Sequence, residues 1–139
     1  MKKVGVALLG LGTVGGGTYR ILTSMREDIK ASDGVDIEIR RIIERDRSKA
    51  EALGIDPSLL STDINDVISD PEISIVAEFF GGIEPARSFL IASLKAGKSI
   101  VTANKEMFAK CMEDLKAAAI EGNAGLYFEA SCVGGVPVI

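Results

Sequence analysis

The sequence predicts an α/β fold built on a doubly wound parallel sheet. Short apolar runs alternate with segments of helical periodicity along the whole chain, and this alternation is typical of βαβ units. A glycine-rich turn at residues 10–15 (GLGTVG) separates the first apolar run from the first helical segment. Residues 73–77 form a mainly apolar run without regular polar alternation, as expected for a parallel strand covered on both faces.

The individual elements follow from apolar spacing and from the residues that favour strands. The first helix, over residues 13–30, is predicted because apolar side chains recur along it at spacings of three and four. They form one stripe, which consists of Val14, Thr18, Ile21, Leu22 and Met25. The predicted helices cover residues 13–30, 47–53, 63–68, 84–96 and 105–121. The predicted strands cover residues 4–9, 35–43, 73–77, 99–101 and 126–128.

Turn-forming residues mark the boundaries between these elements. Residues 32–34 (SDG) end the first helix, and the segment 54–61 is predicted to be a loop. Thr62 or Asp63 is the predicted cap of the short third helix. Gly97 and Gly122 are predicted to end the last two helices, because glycine readily takes the left-handed conformation that closes a helix.

Composition and charge exclude several classes of protein. The chain has 139 residues, of which 47% are hydrophobic, enough for one core. A net charge of −4 provides no basic face for a nucleic acid. No apolar run approaches the roughly 20 residues of a membrane span, and the first apolar stretch is too short and glycine-broken for a signal peptide. Two cysteines form no disulfide framework, so we expect a cytoplasmic protein.

The sequence contains no histidine. This absence removes Ser-His-Asp and Cys-His catalysis within the chain, together with the commonest zinc ligands. Any proton transfer would therefore use Lys, Asp, Glu, Tyr or Cys.

The glycine-rich turn has the pattern of a dinucleotide-binding site. Gly10 permits the tight turn after the strand, Gly12 lets a pyrophosphate approach the backbone, and Gly15 lets the helix pack close to the sheet. The amides at the start of the following helix would hold the pyrophosphate. A glycine-rich turn without a ligand is the alternative. Because the motif lies between a predicted strand and a predicted helix, it predicts a Rossmann-type NAD(P)-binding domain.

Residues 44–47 (ERDR) lie where such a domain meets the adenosine ribose. Glu44 would accept the ribose 2′-hydroxyl and favour NAD, whereas Arg45 would bind a 2′-phosphate and favour NADP. Both residue types are present, so either cofactor is possible. A solvated loop is the alternative for this segment, in which Asp46 caps the next helix.

Four segments together resemble the nucleotide-binding half of homoserine dehydrogenase. They are residues 10–15 (GLGTVG), 78–86 (EFFGGIEPA), 101–105 (VTANK) and 128–137 (FEASCVGGVP). The resemblance covers essentially all of the chain. It implies an oxidoreductase that reduces L-aspartate 4-semialdehyde to L-homoserine with NAD(P)H, on the route to threonine and methionine.

The resemblance also implies roles for particular residues. Arg45 would meet the 2′-phosphate, which favours NADP, and Lys105 would face the nicotinamide and the substrate as the catalytic residue. Its ammonium would polarise the aldehyde oxygen or stabilise the alkoxide; the alternative is a surface lysine at a helix start. The implied cofactor-binding set is Gly10, Leu11, Gly12, Thr13, Val14, Gly15, Arg45, Gly81, Thr102, Asn104 and Lys105.

A monovalent cation site, usually occupied by sodium in this family, is implied near the end of the chain. Glu129 would supply its carboxylate, and Cys132, Gly134 and Val136 would supply backbone carbonyls. A hard cation suits these oxygen ligands.

We expect residues 1–139 to be one NAD(P)-binding domain, truncated before the domain that binds substrate. Alone, it would bind the dinucleotide poorly or moderately and would not turn over. The full-length protein would be a homo-oligomer that binds a small-molecule substrate. One alternative function is a Rossmann module that senses NAD(P). A second is an aldehyde dehydrogenase with Cys132 as nucleophile, although that chemistry normally needs an activating histidine.

Overall fold

The computed structural model describes residues 2–128, which form a parallel sheet with helices on both faces. The strands are β1 (Lys2–Leu9), β2 (Val35–Ile43), β3 (Leu60–Ser61), β4 (Ile73–Glu78), β5 (Ser99–Thr102) and β6 (Leu126–Phe128). The helices are α1 (Thr13–Ser24), α2 (Arg26–Asp33), α3 (Arg47–Ala52), α4 (Asn65–Ile68), α5 (Ala86–Lys95) and α6 (Lys105–Gly122). A 3₁₀ turn covers Pro57–Leu59.

The strand order is β3-β2-β1-β4-β5-β6, and every neighbouring pair is parallel. The chain runs outward in one direction from β1 to β3, then crosses back to β4 and runs outward in the other. This order confirms the doubly wound sheet. It also creates a topological switch point between β1 and β4, where open α/β sheets bind their ligands at the carboxyl ends of the strands.

The core has two parts because successive side chains of a strand point to opposite faces. On β1, Ala7 and Leu9 belong to the cluster that packs beneath α5 and α6, whereas Val6 and Leu8 belong to the cluster beneath α1 and α3. All four side chains are buried. The central strand is therefore covered on both sides, as a parallel sheet requires.

The single helix predicted over 13–30 is wrong, because the chain forms two helices that meet at Met25. The dihedral angles of Met25 are φ −99° and ψ 9°, outside the helical range. From the start of α2, the guanidinium of Arg26 donates to both carboxylate oxygens of Asp36, at 2.6 and 3.0 Å. This pair ties the start of α2 to the start of β2.

The apolar stripe predicted for the first helix is mostly exposed. Val14, Ile21 and Met25 are exposed, whereas the buried residues of α1 are Gly15 and Gly16. Helix α1 thus approaches the sheet through Gly15 and Gly16, with the half-buried Tyr19 packed against the core.

Two further boundaries differ from the predictions. The segment 54–61, predicted as a loop, ends in the short strand β3, which pairs with the end of β2. Gly122 remains within α6, and Asn123 closes the helix with a φ of 53°. A Cβ atom on Gly122 would lie 1.7 Å from the carbonyl oxygen of Leu94, so glycine is needed there for the close crossing of α5 and α6.

Within residues 2–128, we find no helix with the length and apolar character that crossing a membrane requires.

Candidate functional site

A cavity of about 730 Å³ opens at the switch point of the sheet. Its walls come from the segments that follow β1, β2, β3 and β4 at their carboxyl ends. The lining residues are Gly10, Leu11, Gly12, Ile43, Glu44, Arg45, Lys49, Thr62, Phe79, Phe80, Gly81, Glu84, Pro85 and Phe89.

The glycine-rich turn forms the floor of this cavity, and its three glycines differ in their surroundings. Gly10 has a φ of +101°, which a residue with a side chain rarely adopts. A Cβ atom on Gly15 would lie 2.2 Å from the carbonyl oxygen of Gly10, so the helix can approach the strand only with glycine there. A Cβ atom on Gly12 would meet nothing within 4 Å. The backbone at Gly12 is therefore open to the cavity.

The start of α1 provides hydrogen-bond donors beside Gly12. Gly12 is the N-cap of the helix and offers no side chain to cap it. The amides of the first helical turn have no partner within a helix, and the helix dipole is positive at this end. This arrangement suits an anionic group such as a pyrophosphate. Thr13 and Val14, which begin the helix, are exposed at this end of α1.

Glu44 lies between the glycine-rich turn and α3. The backbone amide of Leu11 donates to its Oε1 at 2.8 Å, and the amide of Asp46 donates to its Oε2 at 3.0 Å. Each carboxylate oxygen thus already accepts one backbone N–H. The carboxylate joins two loops, a role that the sequence did not indicate.

Arg45 and Lys49 provide positive charge at the same edge of the cavity. Both are exposed, and none of the ion pairs formed within residues 2–128 involves either of them. Asp46 caps α3, as the alternative interpretation of this segment expected, because its carboxylate accepts the amide of Ser48. Hydrogen bonds from the hydroxyl and the amide of Ser48 lower the pKa of Asp46, and Lys49 lowers it further by its charge.

The opposite wall of the cavity is the segment that follows β4. Phe79, Phe80 and Gly81 line it, and Gly81 and Gly82 have φ values of +75° and +71°. These left-handed conformations allow the backbone to turn back over the carboxyl end of the sheet.

Glu78 bonds to this wall of the cavity, and the sequence indicated it only as part of a motif and not as a candidate site residue. It ends β4 and has no exposed surface. Its Oε2 accepts the amides of Phe80 (2.7 Å) and Gly81 (3.3 Å), and its Oε1 accepts the hydroxyl of Thr102 (2.6 Å). An acidic residue directly after a buried apolar run was the available signal, since such a residue needs hydrogen-bond partners.

The residues after β5 form a turn that leads into α6. The amide of Asn104 donates to the hydroxyl oxygen of Thr102 at 3.0 Å. The Asn104 side chain donates to the carbonyl of Gly82 and caps α6 by accepting the amide of Met107 at 3.1 Å. Lys105 is the first residue of α6, and its side chain is exposed.

The structure brings only part of the predicted cofactor set to the cavity wall, namely Gly10, Leu11, Gly12, Arg45 and Gly81. Gly15, Thr102 and Asn104 are buried and do not line the cavity, and Thr13, Val14 and Lys105 lie exposed at the starts of α1 and α6. The predicted cation ligands Glu129, Cys132, Gly134 and Val136 lie outside the described residues. Across residues 2–128, the Cys, Asp and Glu side chains form no cluster of three or more suited to a metal ion.

The sheet order, the glycine-rich turn and the cavity at the switch point define a nicotinamide dinucleotide-binding domain of the Rossmann type. Residues 10–129 match the family described as "Homoserine dehydrogenase, NAD binding domain". The chain belongs to this family.

Relatives and solved structures agree with this assignment. The chain is 36% identical to a homoserine dehydrogenase of Bacillus subtilis, with 100% of this chain and 32% of the relative covered. It is 43% identical to one of Corynebacterium glutamicum, with 99% and 31% covered. The solved homoserine dehydrogenase of Thiobacillus denitrificans aligns with a TM-score of 0.83 at 45% identity, covering 94% of this chain and 30% of that one. The S. aureus enzyme aligns with a TM-score of 0.86 at 41% identity, with 98% and 34% covered.

The chain spans about a third of the length of these relatives. The matched part is their nucleotide-binding portion.

Proposed function

We propose that the chain is the cofactor-binding portion of a homoserine dehydrogenase that reduces L-aspartate 4-semialdehyde to L-homoserine, in threonine and methionine biosynthesis. The observation that carries this proposal is the cavity at the switch point, where Gly12 is open and the start of α1 lacks a side-chain cap. When bound, the nicotinamide supplies the hydride. The chain binds the pyrophosphate through the amides of the glycine-rich turn and of the first turn of α1.

We propose NADPH as the preferred cofactor, with NADH as the weaker one. Arg45 and Lys49 are exposed at one edge of the cavity, which supports recognition of a 2′-phosphate there. Glu44, the residue that would favour NAD, directs its carboxylate to the amides of Leu11 and Asp46. This geometry favours a role for Glu44 in holding the loops rather than in binding the ribose.

We propose that Lys105 acts at the nicotinamide end, by placing its ammonium next to the substrate oxygen that gains negative charge. Two observations support this role. A cation at a helix start is opposed by the helix dipole, so a structural reason for lysine is weak there. The turn before Lys105 is also held firmly by Asn104, which caps α6 and bonds to Gly82. Thr102 and Asn104 would contribute by shaping this end of the site.

The remaining parts of the proposal depend on family membership. They are a sodium site formed by Glu129, Cys132, Gly134 and Val136, assembly of the full-length enzyme into a homo-oligomer, and a cytoplasmic location.

Isothermal titration calorimetry of the chain with NADPH and with NADH tests the proposal. Arg45→Ala should weaken NADPH binding by about tenfold or more and leave NADH binding unchanged, because a charge-assisted bond to the extra phosphate is lost. Arg47→Ala is the matched control, since Arg47 is an exposed arginine two residues along that does not line the cavity. Failure of the wild-type chain to bind either dinucleotide would contradict the proposed function. Equal losses for both cofactors in Arg45→Ala would contradict the preference for NADPH.

A further inference from the structure

Glu78 is a fully buried carboxylate at the end of β4. Burial of an ionised carboxylate is costly unless cations or hydrogen bonds replace its hydration. Within residues 2–128, none of the ion pairs involves Glu78. Its stabilisation in this part of the chain therefore comes from the hydrogen-bond donors around it.

These donors belong to two different segments. The amides of Phe80 and Gly81 donate to Oε2, and both residues line the cavity. The hydroxyl of Thr102, on the neighbouring strand β5, donates to Oε1. One carboxylate thus bonds on one side to the cavity wall and on the other to the end of β5.

The second segment continues the connection to the start of α6. The hydroxyl oxygen of Thr102 accepts the amide of Asn104, and the side chain of Asn104 donates back to the carbonyl of Gly82. The same side chain caps α6, which begins at Lys105. The hydrogen bonds therefore form a continuous network that runs from Glu78 through Thr102 and Asn104 to Gly82. The amide of Gly81, next to Gly82, bonds back to Glu78.

We propose that Glu78 is a positioning residue that fixes the cavity wall at Phe80 and Gly81 relative to the turn before Lys105. This inference rests on the proposed function, because it assigns both segments to the nicotinamide half of the site. Glu78 touches neither substrate nor cofactor in this account. It acts by setting where the wall and the start of α6 lie before the dinucleotide binds.

Glutamine at position 78 has the same size but cannot replace the carboxylate. If its oxygen faces the amides of Phe80 and Gly81, its NH₂ group faces a Thr102 hydroxyl whose own hydrogen then lacks its acceptor. If the oxygen faces Thr102, the NH₂ group meets the two backbone N–H donors. Either orientation leaves a buried donor without its acceptor, which is expensive.

Two measurements on Glu78→Gln test the proposal. Amide hydrogen exchange of the ligand-free chain should rise about tenfold at Phe80 and Gly81 if the glutamine NH₂ group faces them. In the other orientation it should rise about tenfold at Asn104, because the Thr102 hydroxyl turns away from the NH₂ group to find an acceptor and no longer accepts the Asn104 amide. The dissociation constant for NADPH should rise about tenfold. Thr102→Val provides a second variant in case Glu78→Gln folds poorly, and it should increase exchange at Asn104 while Phe80 and Gly81 stay protected.

Asp36→Asn is the matched control. Asp36 is also a buried carboxylate, but it bonds to Arg26 at the amino end of the sheet. It should lower thermal stability without changing NADPH affinity or exchange at Phe80, Gly81 and Asn104.

Glu78→Gln would overturn the proposal if it lowered the melting temperature but left exchange at these three amides and NADPH affinity within twofold of wild type. The proposal would also be overturned if the Asn104 amide in Thr102→Val exchanged as slowly as it does in wild type. Should the wild-type chain bind no dinucleotide while Glu78→Gln still deprotects these amides, the link between the two segments is supported and the proposed function fails.

Discussion

The carboxylate of Glu44 accepts the backbone amide of Leu11 at 2.8 Å. This bond connects the end of β2 to the glycine-rich turn after β1. The second oxygen of Glu44 accepts the amide of Asp46, which caps α3. A single side chain thus sets the spacing between the loop that would hold the pyrophosphate and the loop that presents Arg45.

Glu44→Gln should loosen this connection. Glutamine offers one acceptor in place of two, so either Leu11 or Asp46 loses its partner, and the free energy of unfolding should fall by about 1 kcal/mol. Urea denaturation measures the loss, and amide exchange at Leu11 and Asp46 locates it. Glu51→Gln, an exposed change on α3, is the control and should have no effect. Unchanged protection of both amides would contradict the role given to Glu44.

Gly15→Ala should be strongly harmful because the added methyl group would lie 2.2 Å from the carbonyl oxygen of Gly10. We expect a loss of about 1–3 kcal/mol in the free energy of unfolding, as for other overpacked sites. Dinucleotide binding should fall as well, since α1 must move away from the turn.

Gly17→Ala on the same helix is the control for this prediction. A Cβ atom on Gly17 would meet nothing within 4 Å, so alanine should stabilise α1 by about 0.5–1 kcal/mol. Denaturation curves of the two variants are the measurement. Equal effects at both positions would show that the contact of Gly15 with Gly10 is not what requires glycine.

Acid should weaken the fold partly through Asp36. The hydrogen bonds from Arg26 hold the pKa of the Asp36 carboxyl below its ordinary value of 3.8, with help from the charges of Arg26, Lys30 and Lys3. The folded state therefore binds this proton less readily than the unfolded state. The contribution of Asp36 to the free energy of unfolding is therefore complete at pH values above its ordinary pKa. It is lost as the pH falls through the lowered pKa of the folded state.

The wild-type chain and Asp36→Asn should accordingly differ in unfolding free energy near neutral pH, and this difference should begin to shrink below about pH 4. Urea denaturation at a series of pH values checks this expectation. A difference that stays constant from pH 7 to pH 3 would exclude titration of Asp36 as a source of the pH dependence.

The sequence predicted those features that are decided locally. The strand of residues 73–77 and the glycines of the turn at 10–15 appeared as expected, because apolar runs and left-handed turns carry their own signals. The strand β3 was missed, since its two residues are extended only by pairing with the end of β2. The break at Met25 was missed for a related reason, because Arg26 bonds to a residue ten positions later.

Within the site, residue types were easier to predict than their partners. Glu44 was interpreted as a possible ligand of the ribose, but its oxygens accept the amides of Leu11 and Asp46. Glu78 drew attention only as part of a motif, although it links two strands. Hydrogen bonds between segments distant in sequence leave no periodic pattern, so these roles required the structure.

Titration of the isotopically labelled chain with NADPH, followed by amide NMR shifts, tests the central claim most directly. Binding at the switch point predicts the largest shifts at Gly12, Thr13 and Gly81, with Lys3 and Asp36 at the amino end of the sheet unchanged. Shifts confined to the amino end, or saturable binding that leaves Gly12 and Thr13 unperturbed, would contradict the assignment of this cavity as the dinucleotide site.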